Sequence, residues 1–140
     1  LNFILLITNQ WMNPFLYFIV CIPFVLMSQS KKSMDRTYFD SGQIKTEGNL
    51  VEGKKHGEWV HYFESGQIKT INNFQNGIQE GKSFWYHPNG SIGWEENYVN
   101  GIAHGKFLYY DESGRLRIEK IYENGNEVSY RFDGKELKNN

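Results

Sequence analysis

Cysteine is nearly missing from this chain of 140 residues, which holds one, Cys21. An internal disulfide is therefore excluded, and a cysteine-based metal site has no ligands left to build it. An excess of one charge is missing too. Lys plus Arg number 15 against 16 Asp plus Glu, so no strong field draws nucleic acid or an anionic membrane. Helical patterning is absent from residues 38–134, where no stretch keeps a 3.6-residue period and glycine recurs too often. Residues 1–30 contain no Asp, Glu, Lys or Arg at all.

What the chain does have is a period. Gly42, Gly66, Gly90 and Gly114 stand 24 residues apart, and Gly53, Gly77, Gly101 and Gly125 keep the same step. Gly57, Gly81 and Gly105 form a third set, and Tyr38, Tyr62, Tyr86 and Tyr110 follow in phase. Fixed self-similarity on this scale marks one small supersecondary unit copied and stacked. Stacked units build binding surfaces more readily than enclosed pockets for chemistry.

The uncharged N-terminus is a different kind of sequence. Phe15 to Met27 is an apolar run of 13 residues, short for a membrane span and suited to a signal-peptide core. Ser28-Gln29-Ser30 then supplies small residues where a signal peptidase reads, although no Lys or Arg precedes the run. Met12 offers a translation start just before the apolar core. Val20, bulky, argues against Cys21 as a lipid-modified cysteine. Residues 1–30 read as a cleaved signal, an uncleaved anchor or a buried core segment. The first two place the protein in the periplasm, at the cell surface or outside the cell, with any membrane contact through residues 15–27.

One repeat shows the fold. Glu58 to Phe63 is rich in aromatic and β-branched residues and predicts a strand. Glu64-Ser65-Gly66 predicts a three-residue hairpin loop closed by glycine, Ile68 to Phe74 the returning strand, and Gln75-Asn76-Gly77 a second loop of the same kind. In that register Phe63 faces Gln67, Tyr62 faces Ile68, Val60 faces Thr70 and Phe74 faces Ile78. Even-numbered residues would then share one apolar sheet face throughout, with local slips around Gly57, Gly81 and Gly105. Tyr109 would lie across from Arg117, and Trp85 would cover Gly93. The expected architecture is all-β: an antiparallel hairpin meander of four 24-residue repeats, about eight to nine strands. Residues 31–37 read as a linker, 38–134 as the repeat domain and 135–140 as a tail.

Chemistry finds no foothold. His56 and His104 hold one repeat position two repeats apart, roughly 19 Å at sheet spacing, too far to share a metal. His61 and His87 lie in neighbouring repeats, still two strands apart. Ser41, Ser65 and Ser113 are explained by the turn glycines they precede. Glu95 and Glu96 point to opposite faces of one strand, which is wrong for shared acid–base work. The reading is a non-enzyme without cofactor or metal. Its candidate partner-binding face is the odd-numbered aromatic stripe Trp59, His61, Trp85, Phe107 and Tyr109.

The strings YFESGQIKTINNFQNG and YHPNGSIGWEENYVNG, from Tyr62 and from Tyr86, resemble the variant MORN repeat. Bacterial proteins made only of such repeats are commonly assigned to the YwqK family of antitoxins, and this chain is similar to those. The resemblance implies a β-hairpin scaffold for protein–protein interaction, with a toxin as one class of partner. The competing expectation is an exported envelope protein that binds glycan or lipid headgroups through its aromatic face.

Overall fold

The computed structural model describes residues 30–136. The apolar run Phe15–Met27, with Cys21, lies outside the described residues, as do residues 137–140. Twelve strands follow one another with no helix among the described residues: β1 (Lys32–Tyr38), β2 (Ile44–Val51), β3 (Lys54–Tyr62), β4 (Ile68–Gln75), β5 (Ile78–Gln79), β6 (Gly81–Tyr86), β7 (Ile92–Val99), β8 (Ile102–Ala103), β9 (Gly105–Tyr110), β10 (Leu116–Glu123), β11 (Asn126–Phe132) and β12 (Lys135–Glu136). They form one antiparallel sheet in chain order, with the two-residue β5 and β8 pairing only to β4 and β7. Every substantial contact between elements joins sheet neighbours, so the meander is a single layer.

The strand count exceeds the expected one at both ends. Residues 31–37, read as a linker, are almost wholly β1, which pairs with β2 from Lys32↔Val51 to Tyr38↔Ile44. Lys135 and Glu136, read as tail, pair with Phe132 and Arg131.

Two kinds of turn alternate. Phe63 donates its N–H to the Gln67 carbonyl at 2.8 Å and Gly66 donates to the Phe63 carbonyl at 2.9 Å, the expected three-residue loop closed by a left-handed glycine. The Asn-Gly reversals differ from expectation. Gln75 pairs with Ile78 and Phe74 with Gln79, so Asn76-Gly77 alone makes the turn. Both residues have positive φ, 51° and 86°, as a type I′ hairpin requires, and asparagine tolerates that region. The Gly77, Gly101 and Gly125 N–H groups then donate to the carbonyls of Lys55, Gln79 and Ala103 at 2.7, 2.8 and 2.9 Å, pinning each turn to the preceding repeat.

A second departure lies beside the three-residue loops. Tyr62 pairs with Ile68 but His61 pairs with Thr70, leaving Lys69 as an extra bulged residue. Lys45, Gly93 and Arg117 occupy the same bulge in the other hairpins. Because side chains alternate across a sheet, one inserted residue exchanges the faces of everything beyond it. Val60 consequently faces Ile71, not Thr70. The expectation of one even-numbered face is therefore corrected: odd residues of β3, β6 and β9 share a face with the even residues of β4, β7 and β10 beyond the bulge, whereas Ile68, Ile92 and Leu116, ahead of it, stay with Tyr62, Tyr86 and Tyr110 on the other face. The slips anticipated around Gly57, Gly81 and Gly105 are present. Register shifts between Gly48 and Asn49, and strand pairing breaks between β5 and β6 and between β8 and β9. At those breaks Asn73 donates its side-chain N–H to the Lys82 carbonyl (2.8 Å), and Asn97 donates to that of His104 (3.0 Å).

The core sits on the face of the odd first-strand residues. Trp59, Ser83 and Phe107, one position in three successive repeats, are 4%, 0% and 5% exposed. With no second layer, neighbours on the same face supply the cover. The Lys55 ammonium stands 4.3 Å from the Trp59 ring centre, and Phe107 packs between Tyr98 and Tyr122 at 5.4 and 4.6 Å.

Candidate protein-interaction face

The aromatic stripe expected to meet a partner divides on folding. Trp59 and Phe107 are the two buried hydrophobic residues of the core and present no free surface. His61, Trp85 and Tyr109 do line up, in one row that runs His61↔Thr70↔Trp85↔Trp94↔Tyr109 across adjacent strands. Each is half-buried, and the Tyr109 hydroxyl is hydrogen-bonded within the sheet.

Trp85 covers Gly93 as expected, although its in-register partner is Trp94. The His87 ring meets the edge of Trp85 at 4.6 Å and donates through Nε2 to the Tyr110 carbonyl at 3.1 Å. Burial lowers the pKa of His61, and the charges of Lys55 and Lys69 lower it further, so this imidazole favours the neutral form. Tyr109 does not meet Arg117. Its hydroxyl donates to Glu96 at 3.0 Å, and Tyr98 donates to the other Glu96 oxygen at 2.7 Å. Burial first, then Glu96, raises both tyrosine pKa values above the usual range. Arg117 instead pairs with Asp133 at 3.1 Å and lies over the Phe132 ring at 5.6 Å. In the second of these three repeats the core position is Ser83, which accepts a hydrogen bond from Gln79 at 2.8 Å. A buried serine where other repeats carry Trp or Phe has no signature in the sequence.

The opposite face carries the accessible apolar surface. Beside the three-residue loops, Tyr38↔Ile44, Tyr62↔Ile68, Tyr86↔Ile92 and Tyr110↔Leu116 form four rungs of one ladder. Tyr38 is 56% exposed, Ile68 40%, Ile92 38% and Leu116 40%. Between the first rungs lies a shallow depression of about 310 Å³, lined by Gln43, Ile44, Tyr62 and Gly66. Tyr62 is held in place: its hydroxyl donates to Glu47 at 2.7 Å, and Arg36 meets the same carboxylate at 2.9 Å. Those two contacts, Tyr62 first, lower the Glu47 pKa. The ion pairs Lys82–Glu95 and Lys106–Glu119 repeat the arrangement deeper along the face, at 2.5 and 3.0 Å. The 24-residue recurrence of tyrosine and isoleucine was the signal for this ladder; pairing them across the loop required the turn type.

Among the described residues no three His, Cys, Asp or Glu side chains converge to hold a metal ion. His56 and His104 stand at the irregular strand breaks, where His104 donates its backbone N–H to the Asn97 carbonyl at 3.0 Å. A second depression of about 200 Å³, between Val99, Asn100, Ile102, His104 and Asn124, is open and mixed in lining.

Comparison with known proteins agrees with this architecture at the level of the repeat. The model of the MORN repeat variant matches residues 55–76, 79–100 and 103–124. Each match spans the first-strand, three-residue-loop and returning-strand unit described above. No curated protein matches the chain. Among solved structures, a chain of the "Crystal structure of GtfA/B complex" is similar over 78% of this chain and 17% of its own, at 14% identity and a TM-score of 0.27. That likeness carries no argument about function. MORN repeats are generally modules of protein or membrane interaction. Residues 55–76, 79–100 and 103–124 thus match the MORN repeat variant, and each folds as one hairpin of the antiparallel sheet.

Proposed function

We propose that this chain is a non-catalytic β-repeat module that binds another protein. The observation that carries the reading is the ladder of three Tyr–Ile rungs and one Tyr–Leu rung, with Tyr38, Ile68, Ile92 and Leu116 exposed, on a face that no other element covers among the described residues. An apolar strip of this length, flanked by ion pairs, is a feature of surfaces that meet a partner. The resemblance to YwqK-family antitoxins makes a toxin one candidate partner. The uncharged N-terminal segment supports export, and its apolar run would provide membrane contact through residues 15–27.

The test uses the full chain, produced together with a toxin encoded beside it. Neutralisation and co-purification of that toxin would establish the antitoxin reading. Capture of a different protein would keep the interaction module and remove the antitoxin label. Specific retention on isolated cell-wall glycan or lipid vesicles, with no protein captured, would replace it with the envelope reading.

A further inference from the structure

The ladder has a charged border, and the border names a class of ligand. Asp40, Glu64 and Glu112 occupy one position of the three-residue loops in the first, second and fourth hairpins. All are exposed, and none makes an ion pair among the described residues. On the inner side of the ladder the carboxylates Glu47, Glu95 and Glu119 are each neutralised by Arg36, Lys82 and Lys106. The cations nearest these loops are turned to other partners, Lys45 and Lys69 over the Phe39 and Phe63 rings and Arg115 toward Asp133, which leaves the strip with a neutral inner flank and unpaired carboxylates at its loop edge. An anionic membrane surface is repelled by such a rim, whereas a basic segment is attracted.

Spacing adds a second constraint. One repeat advances the sheet by two strands, about 9.6 Å, and an α-helix advances about 10.5 Å in seven residues. A helix with an apolar stripe and one basic flank therefore meets a rung once per heptad, with Glu64 and Glu112 beside the outer two of three successive rungs and Pro88 beside the middle one. The three rungs Tyr62–Ile68, Tyr86–Ile92 and Tyr110–Leu116 cover five strand intervals, about 24 Å, which about sixteen helical residues match. The third and fourth loops are tied together. Asn89 and Ser91 donate side-chain hydrogen bonds to the Glu112 carbonyl at 2.9 and 3.1 Å, so this stretch meets a ligand already ordered.

We propose that the Tyr–Ile/Leu ladder with its acidic loop rim is the docking site for a basic amphipathic helix of a partner protein. This rests on the protein-binding reading above and adds the face, the charge and the secondary structure of what is bound.

The experiment titrates the full chain with two eighteen-residue helical peptides, identical in their leucine stripe and carrying either lysine or glutamate along one flank. Phosphatidylglycerol vesicles form a third arm. The lysine peptide is expected to bind, to weaken as salt rises, and to lose about tenfold in affinity with Glu64→Lys plus Glu112→Lys. Ile92→Asp should abolish its binding while Trp85→Phe, on the other face, leaves it unchanged. Far-ultraviolet circular dichroism and melting of each variant check the fold. Equal binding of both peptides, binding of neither, or retention with Ile92→Asp overturns the proposal. Vesicle binding that Ile92→Asp removes, without peptide binding, assigns the ladder to lipid. Partner capture that survives Ile92→Asp overturns this site while leaving the interaction module standing.

Discussion

The indole of Trp59 lies over the backbone of Gly48, its partner across the β2–β3 ladder, and a methyl group on residue 48 would occupy the space of the ring. The indole N–H donates to the Asn49 carbonyl at 3.1 Å, which fixes the ring in that pose. Gly48→Ala must therefore displace the most buried aromatic of the first repeat. A loss of about 2 kcal/mol is expected from overpacking, measured by urea unfolding, with tryptophan fluorescence reporting the altered ring environment. A neutral result would mean that Trp59 is not seated there.

Turn chemistry gives a contrast within a single hairpin. Asn100 and Gly101 have φ of 51° and 76°, and a Cβ on Gly101 would stand 3.3 Å from the Ile78 side chain. Gly101→Ala should cost about 1–2 kcal/mol through a left-handed alanine pressed against its neighbour, whereas Asn100→Gly should stay within about 0.5 kcal/mol. Parallel denaturant curves decide it.

Much of the fold could be read from residues, and the point where reading stopped is physical. Glycine needs a positive φ, so Gly66 and its counterparts announced the three-residue loops, and Tyr62 opposite Ile68 followed correctly. The bulge one residue further on carries Lys45, Lys69, Gly93 and Arg117, four residues with no common propensity. Each finds its own use for the position. Lys45 and Lys69 extend over Phe39 and Phe63 at 5.6 and 5.7 Å, Gly93 accepts the Trp85 ring, and Arg117 reaches Asp133. Asn-Gly, for its part, serves two-residue and three-residue turns alike. An unreadable one-residue insertion thus moved Trp59 and Phe107 from the supposed binding face into the core.

The site residues divide accordingly. Trp59→Ala should lower stability by about 3 kcal/mol or more, so any loss of partner binding in that variant reports unfolding. Ile68→Asp, at a residue 40% exposed, should change the melting temperature little and remove binding. Comparing melting curves with partner capture for the two variants separates the faces.

Alkaline pH addresses the Glu96 cluster. Folding raises the Tyr98 and Tyr109 pKa values, chiefly by burial, so the folded chain keeps protons that the unfolded chain releases near the ordinary value of 10.0. Their stabilisation is intact below that pH and is lost as pH rises above it. Tyr98→Phe should flatten the fall in stability above pH 10.0 and cost about 1–2 kcal/mol at neutral pH through the lost hydrogen bond to Glu96. An unchanged alkaline slope would contradict the arrangement.

Acid acts through the other face. The Tyr62 and Arg36 hydrogen bonds hold the Glu47 pKa below its ordinary 4.5, so this contribution is present above that pH and is lost as pH falls through the folded value. Tyr62→Phe should shift the acid limb of the stability profile to higher pH, read from unfolding midpoints across the acid range.

The side of the sheet that each repeat position faces separates core from ladder, and cysteine labelling in a Cys21→Ser background measures it directly. Ser83→Cys replaces the fully buried serine with little change of shape, and Ile92→Cys places a thiol on a ladder residue 38% exposed. Residue 92 should react with a maleimide rapidly in the folded protein, while residue 83 should react only after denaturant is added. Fast labelling at residue 83, or protection at residue 92, would contradict the assignment of core and ladder to their faces.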